Sequence, residues 1–536
     1  MTVSIFNDVI GPVMRGPSSS HCAAALRIGR LARDLMDGDI KIVSVDFDRR
    51  GSLATTHASQ GSDMGLFGGL MGWEATDERL ADSAHAIRAA GVEVRIAIDD
   101  FGFTHPNTYR LTLNNAEQQH TLTALSTGGG MIEVIEIDGF TISMAGDYAE
   151  TLVFVSAGGR EIADRLSEAA RADEILVHTH QDAELVEFKG RQFVSEATLA
   201  AIEQEREVLA VKRLGPVLPV LSRAGLEVPF ATCEAMFRCK GDRDVPLWKL
   251  AAEYESARGN LSEQDVLERM LAIVRTLRAS LAQGLEGTEY EDRILGYQCG
   301  RFAERLESAS LLEAGMLNRI ILYVTALMEV KSAMGVIVAA PTAGACAALP
   351  GAVLGAADAR GATDEDAARA MLAGGIVGVF IATSSTFAAE VAGCQAECGA
   401  ASGMAAAALA TLGAGTAEQA VAAASMALQN SFGMVCDPVA NRVEVPCLGK
   451  NVMAASNALA CVNMALAGYD PVVPLDEVIE AMDRVGRSLP HELRCTALGG
   501  LSITETSKAI EARLQKPPQK NGGEPRKDIT SEIKGT

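Results

Sequence analysis

The sequence predicts a multidomain α+β protein. It reads as an N-terminal α/β domain over residues 1–148, a short α/β connector over 149–192, a large all-helical domain over 193–514 and a disordered tail over 515–536. Three observations predict this. Strand-like and helix-like periods alternate over the first 190 residues. Helical periodicity then runs almost unbroken. Within it lie three long uncharged stretches, 332–357, 370–389 and 451–468, rich in Ala and Gly. With 48% hydrophobic but only 4% aromatic residues, the cores must be built from Ala, Leu, Val and Met, and small residues let helices approach closely.

In chain order, the turn-rich loop Ile10–His21 feeds a helix from Cys22 to about Asp37, with Ser20 as its cap. Ile40–Phe47 alternates as a strand, Leu80–Ala90 is helical, and Glu93–Ile98, Tyr109–Asn114 and Met131–Ile137 are strands, the last after the Gly128-Gly129-Gly130 turn. In the connector, Leu152–Val155, Glu174–His178 and Val186–Phe188 read as strands around a helix Gly159–Ala170. His178 and His180 share one strand face; with no third ligand nearby they fit solvated side chains better than a metal pair. Helices are expected over Ser195–Ala210, Ser262–Gln283, Asp292–Leu306 and Ala314–Val330, then through the three uncharged stretches. The tail Gln515–Thr536 has Pro, Lys, Gly and Glu without an apolar face.

Charge and composition exclude some functions. A net charge of −22 with no basic stripe opposes nucleic acid and anionic membranes. The uncharged stretches are long enough for membrane spans, but their Ala, Gly, Ser and Thr content fits helices buried on all sides. Met1–Asp8 lacks a basic start and a continuous apolar core, so no secretory signal is expected. Eleven cysteines, an odd number in a long chain, fit reduced thiols in a cytoplasmic protein.

Chemistry concentrates between Gly393 and Cys447. Cys394 follows Gly393, Cys436 precedes Asp437-Pro438, and Cys447 follows Pro446. Pro and Gly end helices, so these thiols belong at corners from which they can face a shared centre. The spacing alone favours three buried free thiols. Gly16-Pro17-Ser18-Ser19-Ser20-His21, at a helix start, suits an anion or an ordinary capped turn.

These stretches resemble the iron–sulfur L-serine dehydratases. The resemblance is carried by Gly393-Cys394-Gln395-Ala396-Glu397, Cys436-Asp437-Pro438-Val439, Val445-Pro446-Cys447, Lys450-Asn451, Met334–Gly344, Leu489–Arg494 and Thr496–Gly500. Upstream it continues in Gly16–His21, Gly51–Thr56, His105–Thr108 and Ser126–Gly130. It covers about nine-tenths of the chain, as fused beta and alpha parts. It implies a [4Fe–4S] cluster on Cys394, Cys436 and Cys447 with one iron open to substrate, and loss of water from serine to give pyruvate and ammonia. It implies substrate binding by Ser18, Ser19 and Ser20, with Asn107 and Thr342 beside them. Arg494 fits a carboxylate partner or an interhelical ion pair. Cys398, one helical turn after Cys394, reads as packing; Cys346 is the other outside candidate, and Cys22, Cys233, Cys239, Cys299, Cys461 and Cys495 read as buried thiols. The connector fits either a reduced ACT-like module, which some members carry, or a plain link.

One motif departs. The family usually has G-H-G-[ST]-D after G-S-L-A-x-T, whereas this chain has Ala58-Ser59-Gln60-Gly61-Ser62-Asp63. Gln60 thus stands where the motif histidine, a candidate general base, would be. Glutamine accepts no proton near neutral pH, which passes that role to His57 or His21. The expected partners are a small amino acid and a second copy of the chain as a homodimer, with no nucleic acid or membrane. Two other readings stay open: a lyase on threonine, cysteine or a related amino acid, and an amino-acid sensor on the same fold.

Overall fold

The structure is a computed structural model and describes residues 2–202, 207–290 and 293–514. The expected tail lies outside the described residues. The architecture is α+β, with an N-terminal α/β part and a large helical part.

The first part is built on a six-stranded sheet. Its strands lie in the spatial order Glu93–Asp99, Ile42–Asp48, Thr108–Asn114, Gln119–Gly128, Met131–Ile137 and Phe140–Met144. The first pair is parallel and the rest antiparallel. Val43 and Val45 point to the same face as Leu111 and Leu113, and meet Ile28, Leu31 and Leu35 of the helix Ala24–Leu35 in one core. That helix also crosses Ser62–Leu70 through glycines. A Cβ added at Gly65 would lie 2.0 Å from the Cys22 carbonyl oxygen, and one at Gly69 would lie 2.1 Å from that of Leu26. The crossing therefore exists only because both positions lack a side chain. In place of one helix over Leu80–Ala90, a 3₁₀ turn Glu78–Asp82 leads into the helix Ser83–Ala89.

The connector holds a four-stranded antiparallel sheet in the order Val208–Leu214, Ala149–Val155, Ala183–Gly190, Glu174–His180, with the helix Gly159–Ala170 on it. Its edge strand comes from beyond residue 192. This corrects the helix expected over Ser195–Ala210. Only Glu196–Leu199 is helical there, and Val208, Val211 and Leu214 pack into the sheet cores instead. His178 Nε2 pairs with Glu187 Oε2 at 2.7 Å, and the His180 ring lies 5.7 Å from that of Phe140.

In the helical part, Ser262 caps Glu263–Glu286 with a reciprocal Ser262–Asp265 capping box. Gln298–Glu307 and Met316–Ser332 follow. The stretch expected as one helix over 332–357 is broken. It contains a two-residue strand Ile337–Val338 and a 3₁₀ turn Ala343–Ala345 before the helix Ala348–Arg360. Pro341, which has no N–H to give and clashes with a preceding turn, interrupts it. Asp364–Ser384 is long and apolar enough to cross a membrane, and 78% of its apolar window is buried inside the protein. Ala400–Leu412 lies among Ala348–Arg360, Asp364–Ser384, Ala417–Gln429 and Cys447–Leu466, and every residue from Ala400 to Ala410 is buried. Ala and Gly on all its faces permit that.

The two parts interlock. Ile5–Val9 forms a single π-turn whose Ile5, Phe6 and Val9 belong to the core of the helical part. Ser4 Oγ donates to Glu255 Oε1 at 2.5 Å and Ile5 N to Glu255 Oε2 at 2.7 Å. Tyr254 OH donates to Val3 O, and Arg258 Nε to Thr2 O. Val13–Met14 then pairs antiparallel with Ile337–Val338. The chain passes from there directly into the Gly16–His21 loop, which fixes that loop against the helical part.

Candidate active site

The three motif cysteines do lie at corners. Cys394 follows Gly393, whose φ of 71° is left-handed and whose added Cβ would meet Leu489 and the Met434 carbonyl; glycine is required there. Cys394 then opens the π-turn Gln395–Gly399, which leads into Ala400–Leu412. Cys436 sits in an extended segment, its N donating to Leu493 O at 2.9 Å. Cys447 is the first residue of Cys447–Leu466, directly after Pro446.

All three are buried. Burial pushes the Cys447 thiol up to about 12, against the pull of Lys331 and Lys450. Cys436 is raised by the neighbouring Cys495 thiol and by burial, and also feels Cys394. Cys398 is raised by its neighbour Cys394 and by burial. Lys450 Nζ donates to Asp437 Oδ1 at 2.9 Å and to Val435 O at 2.6 Å. Among the described residues no three His, Cys, Asp or Glu side chains are set to hold a single ion. A cubane puts its thiolates on separate irons, so its cradle is wider than a one-ion site.

A small cavity opens at two of these thiols, Cys436 and Cys447. Pro17, Ser18 and Gln60 wall it from the N-terminal part, and Glu390, Glu397, Cys436, Cys447 and Cys495 from the helical part. An outer pocket lined by Tyr290, Lys331, Ser332 and Arg442 shares Pro17 and Val443 with it.

Next to the cavity, reaching it through Ser18 and Glu390, is a proton-handling set. Thr56 Oγ1 gives its proton to Ser52 O at 2.6 Å, so it accepts from His21 Nε2 at 2.7 Å. His21 Nδ1 is then the acceptor. It receives the Ser18 hydroxyl at 3.0 Å and lies 3.5 Å from Glu390 Oε1. Burial, helped by His57, lowers His21 to about 3, so the ring is neutral. Burial, with Glu397 adding to it, raises Glu390 to about 7. Glu390 Oε2 is buried without a hydrogen bond of ordinary geometry, although the Asn107 amide is near enough to pull its carboxyl down. Glu397 is also raised by burial, and accepts from Thr342 Oγ1 at 2.7 Å.

The other expected residues fall at varied places. Ser19 Oγ accepts from Ala343 N at 3.1 Å, joining the two parts of the protein. Ser20 contributes its carbonyl, which accepts from Ser126 Oγ. Asn107 is buried and accepts from the Ser52 hydroxyl. Thr342 caps the turn Ala343–Ala345. Gln60 is on the cavity wall, its Nε2 donating to Asn441 Oδ1 at 2.9 Å. His57 is elsewhere: it pairs with Asp63 at 2.8 Å, packs on Phe47 and is one-fifth exposed. Arg494 donates to the Val391 carbonyl. Residue reading missed Glu390, Cys495 and Asn441. A signal for the first was present, because Glu390 and Glu397 are the only charged residues between Arg369 and Glu418.

A small cavity between two interlocked parts, lined by Cys436, Cys447, Cys495 and Glu390 with His21 beside that carboxylate, defines an α+β protein with a thiol-rich cleft. Residues 242–502 match the family model described as serine dehydratase alpha chain. The chain is 36% identical over 253 residues to the probable L-serine dehydratase alpha chain of Bacillus subtilis (strain 168), covering 47% of this chain and 84% of that one. It is 39% identical over 150 residues to the probable L-serine dehydratase beta chain of the same organism, covering 28% and 67%. A third relative, the L-serine dehydratase of Streptomyces coelicolor, is 26% identical over 513 residues, covering 94% and 99%. The chain belongs to the L-serine dehydratase family, with both parts fused in one polypeptide.

Proposed function

We propose that this chain is an L-serine dehydratase that converts L-serine to pyruvate and ammonia, with a [4Fe–4S] cluster on Cys394, Cys436 and Cys447. The observation that carries this reading is the cavity itself: the motif thiols of Cys436 and Cys447 line it together with the buried carboxylate of Glu390. The donor set suits the group. Three soft sulfurs arrive from three segment ends, and Lys331 and Lys450 offset their negative charge. When bound, the cluster supplies a Lewis-acidic iron for the substrate hydroxyl.

The chain's own groups do the rest. Glu390 Oε2 takes the Cα proton. The Cα–H electron pair becomes the new Cα–Cβ double bond as the Cβ–O bond breaks, and the hydroxide leaves as water once protonated. Aminoacrylate then tautomerises to an imine, and one water hydrolyses it to pyruvate and ammonia. His21, neutral and hydrogen-bonded on both nitrogens, orients Ser18 and Glu390 rather than keeping the proton. The substrate carboxylate lies at the start of the turn that runs into Ala24–Leu35, where the N–H groups of the helix N-terminus favour an anion, since the Ser18 hydroxyl is already given to His21. Gln60 takes no proton in this scheme.

The test is an anaerobic preparation with iron and sulfide counted and pyruvate measured. About four irons per chain are expected, with Cys394→Ala losing most of them and Cys299→Ala keeping them. A fully active protein without iron overturns the reading.

A further inference from the structure

The six-stranded sheet has one covered edge and one open edge. Phe140–Met144 packs against Glu174–His180 of the connector. Among the described residues Glu93–Asp99, at the other end, pairs on one side only, with Ile42–Asp48. Glu93 N donates to Lys41 O at 2.8 Å, and Asp99 O accepts from Arg49 N at 2.9 Å. The odd-numbered residues thus give their backbone groups to that neighbour. Successive residues of a strand direct their N–H and C=O groups to opposite sides, which turns those of Val94, Ile96 and Ile98 outward. Arg49 Nη2 reaches the Ile98 carbonyl only at 3.5 Å, at the limit of a hydrogen bond. The strand has seven residues, no proline and no bulge, so charge is the one common guard of a free edge that it carries.

The apolar core also stops open at this edge. Ile96 and Ile98 stand beside the buried Val45 and Phe47, yet each is 37% exposed. On the other face are Glu93, Arg95, Ala97 and Asp99, with Arg95 paired to Glu93 at 2.8 Å and Asp99 to Arg49 at 3.2 Å. The order of these residues is self-complementary. Set antiparallel about a two-fold axis through Ala97, two such strands put Arg95 of each copy opposite Asp99 of the other, and Ile96 opposite Ile98. Opposite charges and apolar pairs across strands stabilise a sheet. An axis through Ile96 would instead set Glu93 against Asp99 twice, like charge against like. In the first register the outward groups of Ile96 and Ile98 bond each other. Ala97 then faces Ala97 in a pair without hydrogen bonds, where the Cα atoms lie about 4.5 Å apart.

We propose that two copies of this chain join through Glu93–Asp99 in that register, so that their six-stranded sheets become one continuous sheet. The occupant of the edge is a second copy rather than a foreign strand, because the strand's charges and isoleucines complement their own reverse order. None of the residues at this contact lines the active-site cavity, so the association is separable from catalysis.

The test uses the full chain in sedimentation at micromolar concentration, with Ile96→Pro beside wild type. Proline at 96 removes an outward N–H and leaves the ladder to Ile42–Asp48 intact. The wild type is expected to sediment as a dimer, and Ile96→Pro to raise its dissociation constant about tenfold or more, since each copy loses a bond. Circular dichroism checks that the variant is folded. A cross-link reads the register directly and decides the matter if that variant does not fold. It is made in a Cys239→Ser background, because Cys239 is exposed. On mild oxidation Ala97→Cys is expected to give a disulfide-linked dimer that reductant dissolves. Glu93→Cys, which this register holds roughly 27 Å from its counterpart, is expected to give none. A monomeric wild type overturns the proposal. So does a folded Ile96→Pro with the wild-type dissociation constant, or cross-linking at 93 as readily as at 97.

Discussion

Glu390 and His21 lie side by side with side-chain exposures of 3% and 0%, and burial favours the neutral form of each. For the carboxylate this sets the pH at which it can work. A base must be ionised, so turnover should rise with pH through about 7, the value to which burial lifts Glu390. Glu390→Gln should lower turnover by about 10²–10⁴-fold and abolish that limb, with iron content unchanged. A pH–rate profile beside an iron assay checks this. His21→Ala should cost a similar factor by releasing Ser18 and Glu390. His57→Ala should cost less than about tenfold, since His57 is tied to Asp63 away from the cavity. Steady-state kinetics on the two variants separates them. Of these groups, His21 was legible because it closes a motif. Glu390 was not, because a lone glutamate in an uncharged run gives no spacing to read. Only its burial on the cavity beside His21 reveals its place.

At the scale of elements, the crossing of Ala24–Leu35 with Ser62–Leu70 carries the N-terminal wall of the site. The Cys22 carbonyl, one residue after His21, would sit 2.0 Å from a Cβ at position 65. Gly65→Ala should therefore cost about 1–3 kcal/mol in a urea titration and lower turnover by displacing His21. A variant with wild-type stability and rate contradicts the crossing. The sequence reading missed Ser62–Leu70 because four of its flanking and internal positions are glycine, a poor helix former, and packing overrode that preference. It misread Val208–Leu214 for the opposite reason. The preceding Glu- and Arg-rich residues carry a helical propensity, while the strand is stabilised by pairing with Ala149–Val155, more than fifty residues earlier. The capped helix Glu263–Glu286 was legible to within three residues, since Ser262 and Asp265 signal its start locally.

For the whole molecule, the division into an α/β part and a helical part was legible from periodicity, but their interlocking was not. No local pattern links Ser4 to Glu255, 251 residues away. Glu255 shows what that link involves, since burial raises its carboxyl from 4.5 to about 7. With the folded value the higher one, its contribution is fully present below about 4.5 and lost as pH rises through 7. Glu255→Gln should accordingly gain about 2–3 kcal/mol relative to wild type between pH 5 and pH 8 in chemical denaturation. A constant difference across that range would place the charge elsewhere. The seating of Ile5, Phe6 and Val9 against Asp364–Ser384 also has a consequence in time. At ribosomal speeds of about 5–20 residues per second, those three apolar side chains wait on the order of 20–80 s for their helix to be made. During that interval the growing chain displays an apolar segment whose folded-state cover has not yet been made.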